Sequence, residues 1–209
     1  SVDTGMGLER VTAVLQHARS NYDTDLLRPI INVCEELSGY RYEGSRFDMP
    51  HQGADAQYIH DVAMRVIADH SRAMSLIIAD GVLPGSEGRA YILRRIMRRA
   101  IRHGRNLGLH EPFLRLTAAK TIDVLGACYP ELHERKDVIL RVVEAEERKF
   151  HETLDAGLSI LSKEVERLPK GAPFPGAAAF LLHDTYGFPL DLTQDALKAH
   201  GRIVDIAGF

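Results

Sequence analysis

Cysteine is scarce: the 209 residues hold only Cys34 and Cys128, and the two are not in CxxC spacing. A disulfide framework is thereby excluded, a structural zinc site is not supported, and a reduced, cytosolic setting is expected. Long apolar runs are also lacking. None approaches the roughly 20 residues that span a bilayer, and no signal-peptide pattern opens the chain, so no membrane partner is expected. Internal repeats, low-complexity tracts and convincing strand alternation are missing as well. No Ser/His/Asp or Cys/His arrangement emerges. What is present is an ordinary composition, 45% hydrophobic and 26% charged, at a length suited to one large or two small domains.

Charge is unevenly spread. The chain carries −3 overall, yet residues 88–110 hold seven arginines and no acids, which leaves −10 on the rest. A basic stripe on an acidic body is an electrostatic footprint for phosphate.

Apolar residues recur at helical spacing almost throughout, so an all-α, bundle-like architecture is expected, with a short remnant of another domain in front. Val11, Val14 and Leu15 predict a short helix. Asp25 is placed to cap a second helix through Leu26, Leu27, Ile30, Ile31 and Val33, ending at Gly39. Residues 40–53 read as a loop. A long helix is expected from Ala54 to Asp80, with Val66, Ile67, His70, Met74, Ile77 and Ile78 on its apolar face and His70 a satisfied core histidine. The arginine helix follows from Gly88 to Arg105, stopped by Gly104 and Gly108. Leu114–Cys128 predicts another helix, ended by Pro130. Across residues 131–168, Phe150, Leu154, Leu158, Leu161, Val165 and Leu168 form a stripe suited to packing on neighbours. A turn over His183–Pro189 precedes a last helix, which Gly201 ends. The opening inside a motif and the close on Ile206-Ala207-Gly208-Phe209 suggest an internal piece of a longer chain.

Gly5-Met6-Gly7-Leu8-Glu9-Arg10 joins a flexible turn to a helix N-terminus, whose free N–H groups and dipole suit an anion. Arg10, in the first turn, could reach a phosphate; Asp3 could pair with an ammonium group. The plain alternative is a glycine turn capping a helix. In the arginine helix, Arg94, Arg105, Arg98, Arg102, Arg95 and Arg99 fall within about 140° of one another at 100° per residue. The facing side carries Ile92, Ile96, Ala100, Leu93, Met97 and Ile101. Six like charges on one face repel unless acids or phosphates lie opposite, and both readings stand. Arg94 and Arg105, at the apolar edge, are the ones expected to be internal. Arginine favours bidentate phosphate contacts, and the absence of interleaved aromatics does not suggest single-strand stacking.

The string Asp3-Thr4-Gly5-Met6-Gly7-Leu8-Glu9-Arg10 resembles the third signature motif of class II aminoacyl-tRNA synthetases in its alanine-specific form. The stretch Asp80–Arg89 continuing through Tyr91–Ala100 resembles the helical tRNA-recognition region of the same family. So does Phe180-Leu181-Leu182-His183-Asp184-Thr185-Tyr186-Gly187-Phe188-Pro189-Leu190-Asp191-Leu192-Thr193. The resemblance implies that residues 1–20 end a catalytic domain and residues 21–209 form a helical domain for the tRNA acceptor stem.

It also implies roles. Arg10 and Gly7 would meet ATP, Asp3 would hold the amino group of alanine, and Gly5 would keep the pocket small. Glu9 would support Arg10. Asp184 would accept from the guanine 2-amino group of a G·U wobble pair, a donor exposed in the wide A-form minor groove. Read without the resemblance, Asp184 is a cap or turn-former. Arg89, Arg95, Arg98, Arg99 and Arg102 would meet the stem. The family's second wobble reader is an asparagine; here Ser86 stands in its place, acting through water or capping the arginine helix.

The parent enzyme would attach alanine to its tRNA using ATP and Mg²⁺, with zinc only in its editing region. The first two class II motifs are not in this chain, so the isolated chain is expected to bind RNA weakly and to catalyse nothing. Its partners would be alanine tRNA and neighbouring domains. A generic helical nucleic-acid-binding module and a spacer with internally paired arginines remain as alternatives.

Overall fold

The computed structural model describes residues 5–44, 55–169, 171–198 and 200–209. Among them are nine α-helices, one 3-10 turn at Asn21–Asp23 and one isolated β-bridge, so the all-α expectation holds. The chain divides into two units, Ser1–Glu144 and Ala145–Phe209.

The first unit contains α1 (Leu8–Leu15), α2 (Arg28–Ser38), α3 (Ala56–Ala79), α4 (Gly88–Asn106), α5 (Leu114–Leu125), α6 (Pro130–Glu134) and the start of α7 (Lys136–Arg167). Helix α2 begins later than Asp25 suggested. Pro29 occupies its first turn, where a missing N–H costs nothing. Asp25 lies before it and bonds through its backbone N–H to Gln16 Oε1 at 3.1 Å. Gly39, at φ 75°, ends α2 as expected. The carboxylate of Asp55 caps α3 by accepting from the Gln57 N–H at 3.1 Å. Most of the expected 40–53 loop, and Ala54, lie outside the described residues; 40–44 is irregular.

Helix α3 is the centre of this unit and packs on α2, α4, α5 and α6. Ile67, Met74 and Ile78 are buried as predicted, but Val66, His70 and Ile77 are only half-buried. The buried surface wraps round the helix through Ala63, Met64, Ala68, Ser71 and Ser75, because neighbours cover more than one side. Small residues let those neighbours approach closely. The hydroxyls that come with them are satisfied: Ser71 donates to Thr117 Oγ1 at 2.8 Å and Ser75 to the Ser71 carbonyl at 2.7 Å. His70 is not a core residue; it sits 3.4 Å from the Asp69 carboxylate.

Leu93, Met97, Ala100 and Ile101 bury the apolar face of α4, whereas Ile92 remains exposed. Helix α4 runs through Gly104 to Asn106, and Gly108 then takes a φ of 72°. Helix α5 stops at Leu125 rather than Cys128. Gly126 follows, and a Cβ there would lie 2.1 Å from His133 Nε2. Pro130 starts α6 instead of merely ending α5.

The second unit holds the rest of α7, then α8 (Gly176–Asp184) and α9 (Leu190–Lys198), which pack on each other. Phe150, Leu154, Leu161, Phe174, Leu182, Phe188 and Leu197 form its core, while Leu158, Val165 and Leu168 of the predicted stripe are half-buried. Phe150 and Phe188 meet with ring centroids 6.0 Å apart. Each such ring contributes about 1.5–3 kcal/mol by leaving water. Phe174 pairs with the chain end in a parallel bridge, donating to the Ile203 carbonyl at 2.8 Å and accepting from Asp205 at 2.9 Å.

Candidate functional site

Three places hold the predicted site residues. The first is a cleft of about 490 Å³ in the first unit, lined by Gly5, Gly7, Glu9, Arg10, Asn21, Tyr22, Leu27, Asp69 and Arg72. Three of the predicted residues, Gly5, Gly7 and Arg10, therefore meet in one cavity; Asp3 lies outside the described residues. Gly7 has a φ of 78°, and a Cβ on it would lie 3.6 Å from Arg10 Cδ, so the arginine folds back over the glycine turn. No side chain caps α1, which leaves its first N–H groups for solvent or an anion.

Glu9 does not pair with Arg10 directly. Its carboxylate bonds to Arg72 on α3 instead, and the second arm of Arg72 reaches Asp69 Oδ1 at 2.9 Å. Hydrogen bonding from His70, and next the Arg72 charge, hold the Asp69 carboxyl below its usual range against the opposing effect of burial. The Arg72 cation is thus matched by two carboxylates. Arg10 is exposed and makes no hydrogen bond or ion pair among the described residues, which leaves it as the cation open to a ligand. Burial, with help from Asp69, pushes the Tyr22 phenol up, so it lines the cleft as a neutral hydroxyl. Sequence reading missed Arg72, Asp69 and Tyr22. Arg72 lies 63 positions from Glu9, and no local pattern announces a contact at that distance.

The second place is the N-terminal end of α4. Glu87, not Ser86, occupies the cap position, and no side chain caps the helix. The capping alternative for Ser86 is therefore corrected. Its hydroxyl is exposed and bonds to nothing among the described residues, and Arg89 is likewise exposed and unengaged. Further along, the guanidinium face is more enclosed than the helical wheel suggested. Arg98 is the buried one at 6% exposure, while Arg94 and Arg105, expected to be the internal pair, are half-buried together with Arg95, Arg99 and Arg102. All six interact with other groups of the chain. A wheel ranks positions against a helix's own apolar face and carries no information on what covers the other side.

The third place is the end of α8 in the second unit. Asp184 is the last residue of the helix, and Gly187, at φ 63°, then turns the chain so that Phe188 points into the core. The motif is a helix stop, a turn and a restart at Leu190. Asp184 is neither an N-cap nor a bonded turn-former. Its carboxylate is exposed and pairs with nothing among the described residues. It also sits at the negative end of the helix dipole, where an acid is unfavourable.

Among the described residues no cluster of three or more His, Cys, Asp or Glu could hold a metal. No helix is long and apolar enough to cross a membrane.

Comparison with known sequences agrees with the motifs. The sequence model for tRNA synthetases class II (A) matches residues 1–209. The alanine–tRNA ligases of Rickettsia akari (strain Hartford) and Paracoccus denitrificans (strain Pd 1222) are each 49% identical over 209 residues. That of Cereibacter sphaeroides (strain ATCC 17025 / ATH 2.4.3) is 48% identical over the same length. Each match covers 100% of this chain but 22% of the relative, so the chain spans about a fifth of the length of the curated relatives it matches.

Proposed function

The chain belongs to the class II tRNA synthetases (A), and from that premise we propose that it is the part of a cytoplasmic alanine–tRNA ligase that ends the catalytic domain and holds the tRNA acceptor stem. In this reading the parent enzyme activates alanine with ATP and Mg²⁺ and transfers it to tRNA. Arg10 meets the ATP phosphates, over a turn that Gly5 and Gly7 keep open, and Asp3 meets the amino group of alanine. Glu9 and Asp69 are engaged by Arg72, and we assign no metal ligand to this chain. The chain by itself, without the first two class II motifs, does not catalyse the reaction.

The observation that carries the RNA half of the proposal is Asp184. An exposed, unpaired carboxylate at a helix C-terminus opposes the dipole and gains nothing from the fold. An acid close to RNA phosphates is tolerated where a specific donor meets it, and the guanine 2-amino group of a G·U pair is such a donor. Ser86 and Arg89, exposed at the positive end of α4, supply a hydroxyl and a cation for the backbone of the stem. Arg95, Arg99 and Arg102, half-buried, contribute long-range attraction together with whatever surface they retain, and the buried Arg98 contributes field alone.

The test is competition binding of the 209-residue chain to acceptor-stem duplexes with G·U or G·C at the marker position, across a salt series. The expected slope of log K against log salt is about −0.7 to −0.9 per phosphate contact. A G·U preference of roughly 1–3 kcal/mol, absent in Asp184→Asn, supports the readout. Equal affinity for both duplexes favours a generic nucleic-acid-binding module, and no binding favours a spacer.

A further inference from the structure

Among the described residues, helix α1, which presents Arg10 to the cleft, buries little apolar surface. Its one buried side chain is Ala13, at 9% exposure, while Leu8, Val14 and Leu15 are exposed along with the preceding Met6. In the first unit α1 packs chiefly on the short Asn21–Asp23 turn. The polar contact that reaches further is the ion pair from Glu9 to Arg72, both about a quarter exposed. Arg72 is in turn fixed on α3, because its other arm bonds to Asp69 one turn earlier. A guanidinium can hold two carboxylates at once in fixed planar geometry, which an ammonium on a flexible stem does not reproduce.

We propose that Arg72 is a positioning residue: through Glu9 it sets the orientation of α1, and so places Arg10 and the Gly7 turn to receive the phosphate groups of a nucleotide. The inference rests on the reading of Arg10 as a phosphate-binding residue. Arg72 itself is neutralised by its two carboxylates and acts through α1, not by touching the anion. Because α3 also packs on α4, the bridge ties the anion cleft to the helix whose first turn carries Arg89 and which Ser86 precedes, all within one unit.

The positioning role makes a prediction opposite in sign to simple electrostatics. Removing the negative charge of Glu9 beside the cleft should strengthen anion binding if charge alone matters. If the bridge places Arg10, Glu9→Gln weakens it. The experiment is calorimetric titration of the 209-residue chain with inorganic pyrophosphate, comparing wild type, Arg10→Gln, Glu9→Gln, Arg72→Lys and the Glu9→Gln/Arg72→Lys double variant. Circular dichroism melts report whether each remains folded. Arg10→Gln should abolish binding. Glu9→Gln and the charge-conserving Arg72→Lys should each weaken it about tenfold, the lower end of what losing an outer hydrogen-bond partner costs at metal sites. The double variant should be no weaker than either single one, because both break the same bridge. Should Arg72→Lys unfold, the surface change Glu9→Gln carries the test alone. Glu9→Gln binding as tightly as wild type or tighter, with the Arg10 dependence intact, overturns the positioning role alone. Wild type failing to bind, or Arg10→Gln binding equally well, overturns the phosphate reading and the positioning role together.

Discussion

Gly104 lies directly beneath the ring of Phe113: a Cβ on the glycine would come 2.3 Å from Cε1 and 2.6 Å from Cζ. The glycine is inside α4, where its propensity alone would make alanine better by about 1 kcal/mol. Ring contact decides the sign instead. Gly104→Ala should destabilise the chain by about 1–3 kcal/mol through overpacking. Adding Phe113→Leu, which removes the ring edge, should return part of that loss. Urea denaturation of the three variants checks both statements.

Arg202 closes the end of α7. Its guanidinium donates to the carbonyls of Val165 (3.2 Å), Leu168 (3.1 Å), Pro169 (3.0 Å) and Ala172 (2.8 Å). Val165 lies in the last turn of α7, where a helix end leaves carbonyls short of helical partners, and Leu168, Pro169 and Ala172 belong to the segment that follows. Arg202→Met should cost about 1.5–3 kcal/mol, the scale of hydrogen bonds to a charged group. Faster amide exchange confined to the end of α7 and the segment after it is the expected signature. Arg202→Lys, with one ammonium for four carbonyls, should recover only part of the protection.

Asp184 sits where the helix dipole disfavours it, so Asp184→Asn should stabilise α8 by about 0.3–1 kcal/mol at low salt. Slower amide exchange in α8, fading as salt is added, would show it. The same variant is the one expected to lose preference for the G·U duplex. Faster exchange instead would mean the carboxylate supports the helix.

Asp69 titrates with the fold. Its carboxyl is held low by hydrogen bonding from His70 first and by Arg72 as well. A carboxyl that releases its proton more readily when folded contributes stability above its unfolded pKa of about 3.9, and that contribution is lost as pH falls towards the lowered folded value. Wild type should therefore lose more stability than Asp69→Asn between about pH 5 and pH 2, as read from urea midpoints.

The two cysteines should behave differently. Burial pushes the Cys34 thiol up to about 12, whereas Cys128 is exposed. A thiolate is the reactive form. Native protein should take up one equivalent of an alkylating reagent, at Cys128, and a second only in denaturant. Two equivalents under native conditions would show that α2 opens on the timescale of labelling.

Amino-acid order alone determined most of the helices and several of their ends, since the forces involved act within a turn or two. Apolar residues three and four apart placed α3, α4 and α7, Gly39 and Gly201 stopped α2 and α9, and the glycine turn before Arg10 announced a helix N-terminus. Contacts made by distant segments were decided only in three dimensions. Gly104 looked like a helix stop and is a seat for Phe113; Pro130 looked like a terminator and starts a helix. Arg98 rather than Arg94 or Arg105 is buried, because what covers a polar face belongs to another element. Glu9 turned from the neighbouring Arg10 to Arg72 for the same reason. A side chain's partner depends on which elements pack together, and that is settled by burial of the whole core, not by spacing along the chain.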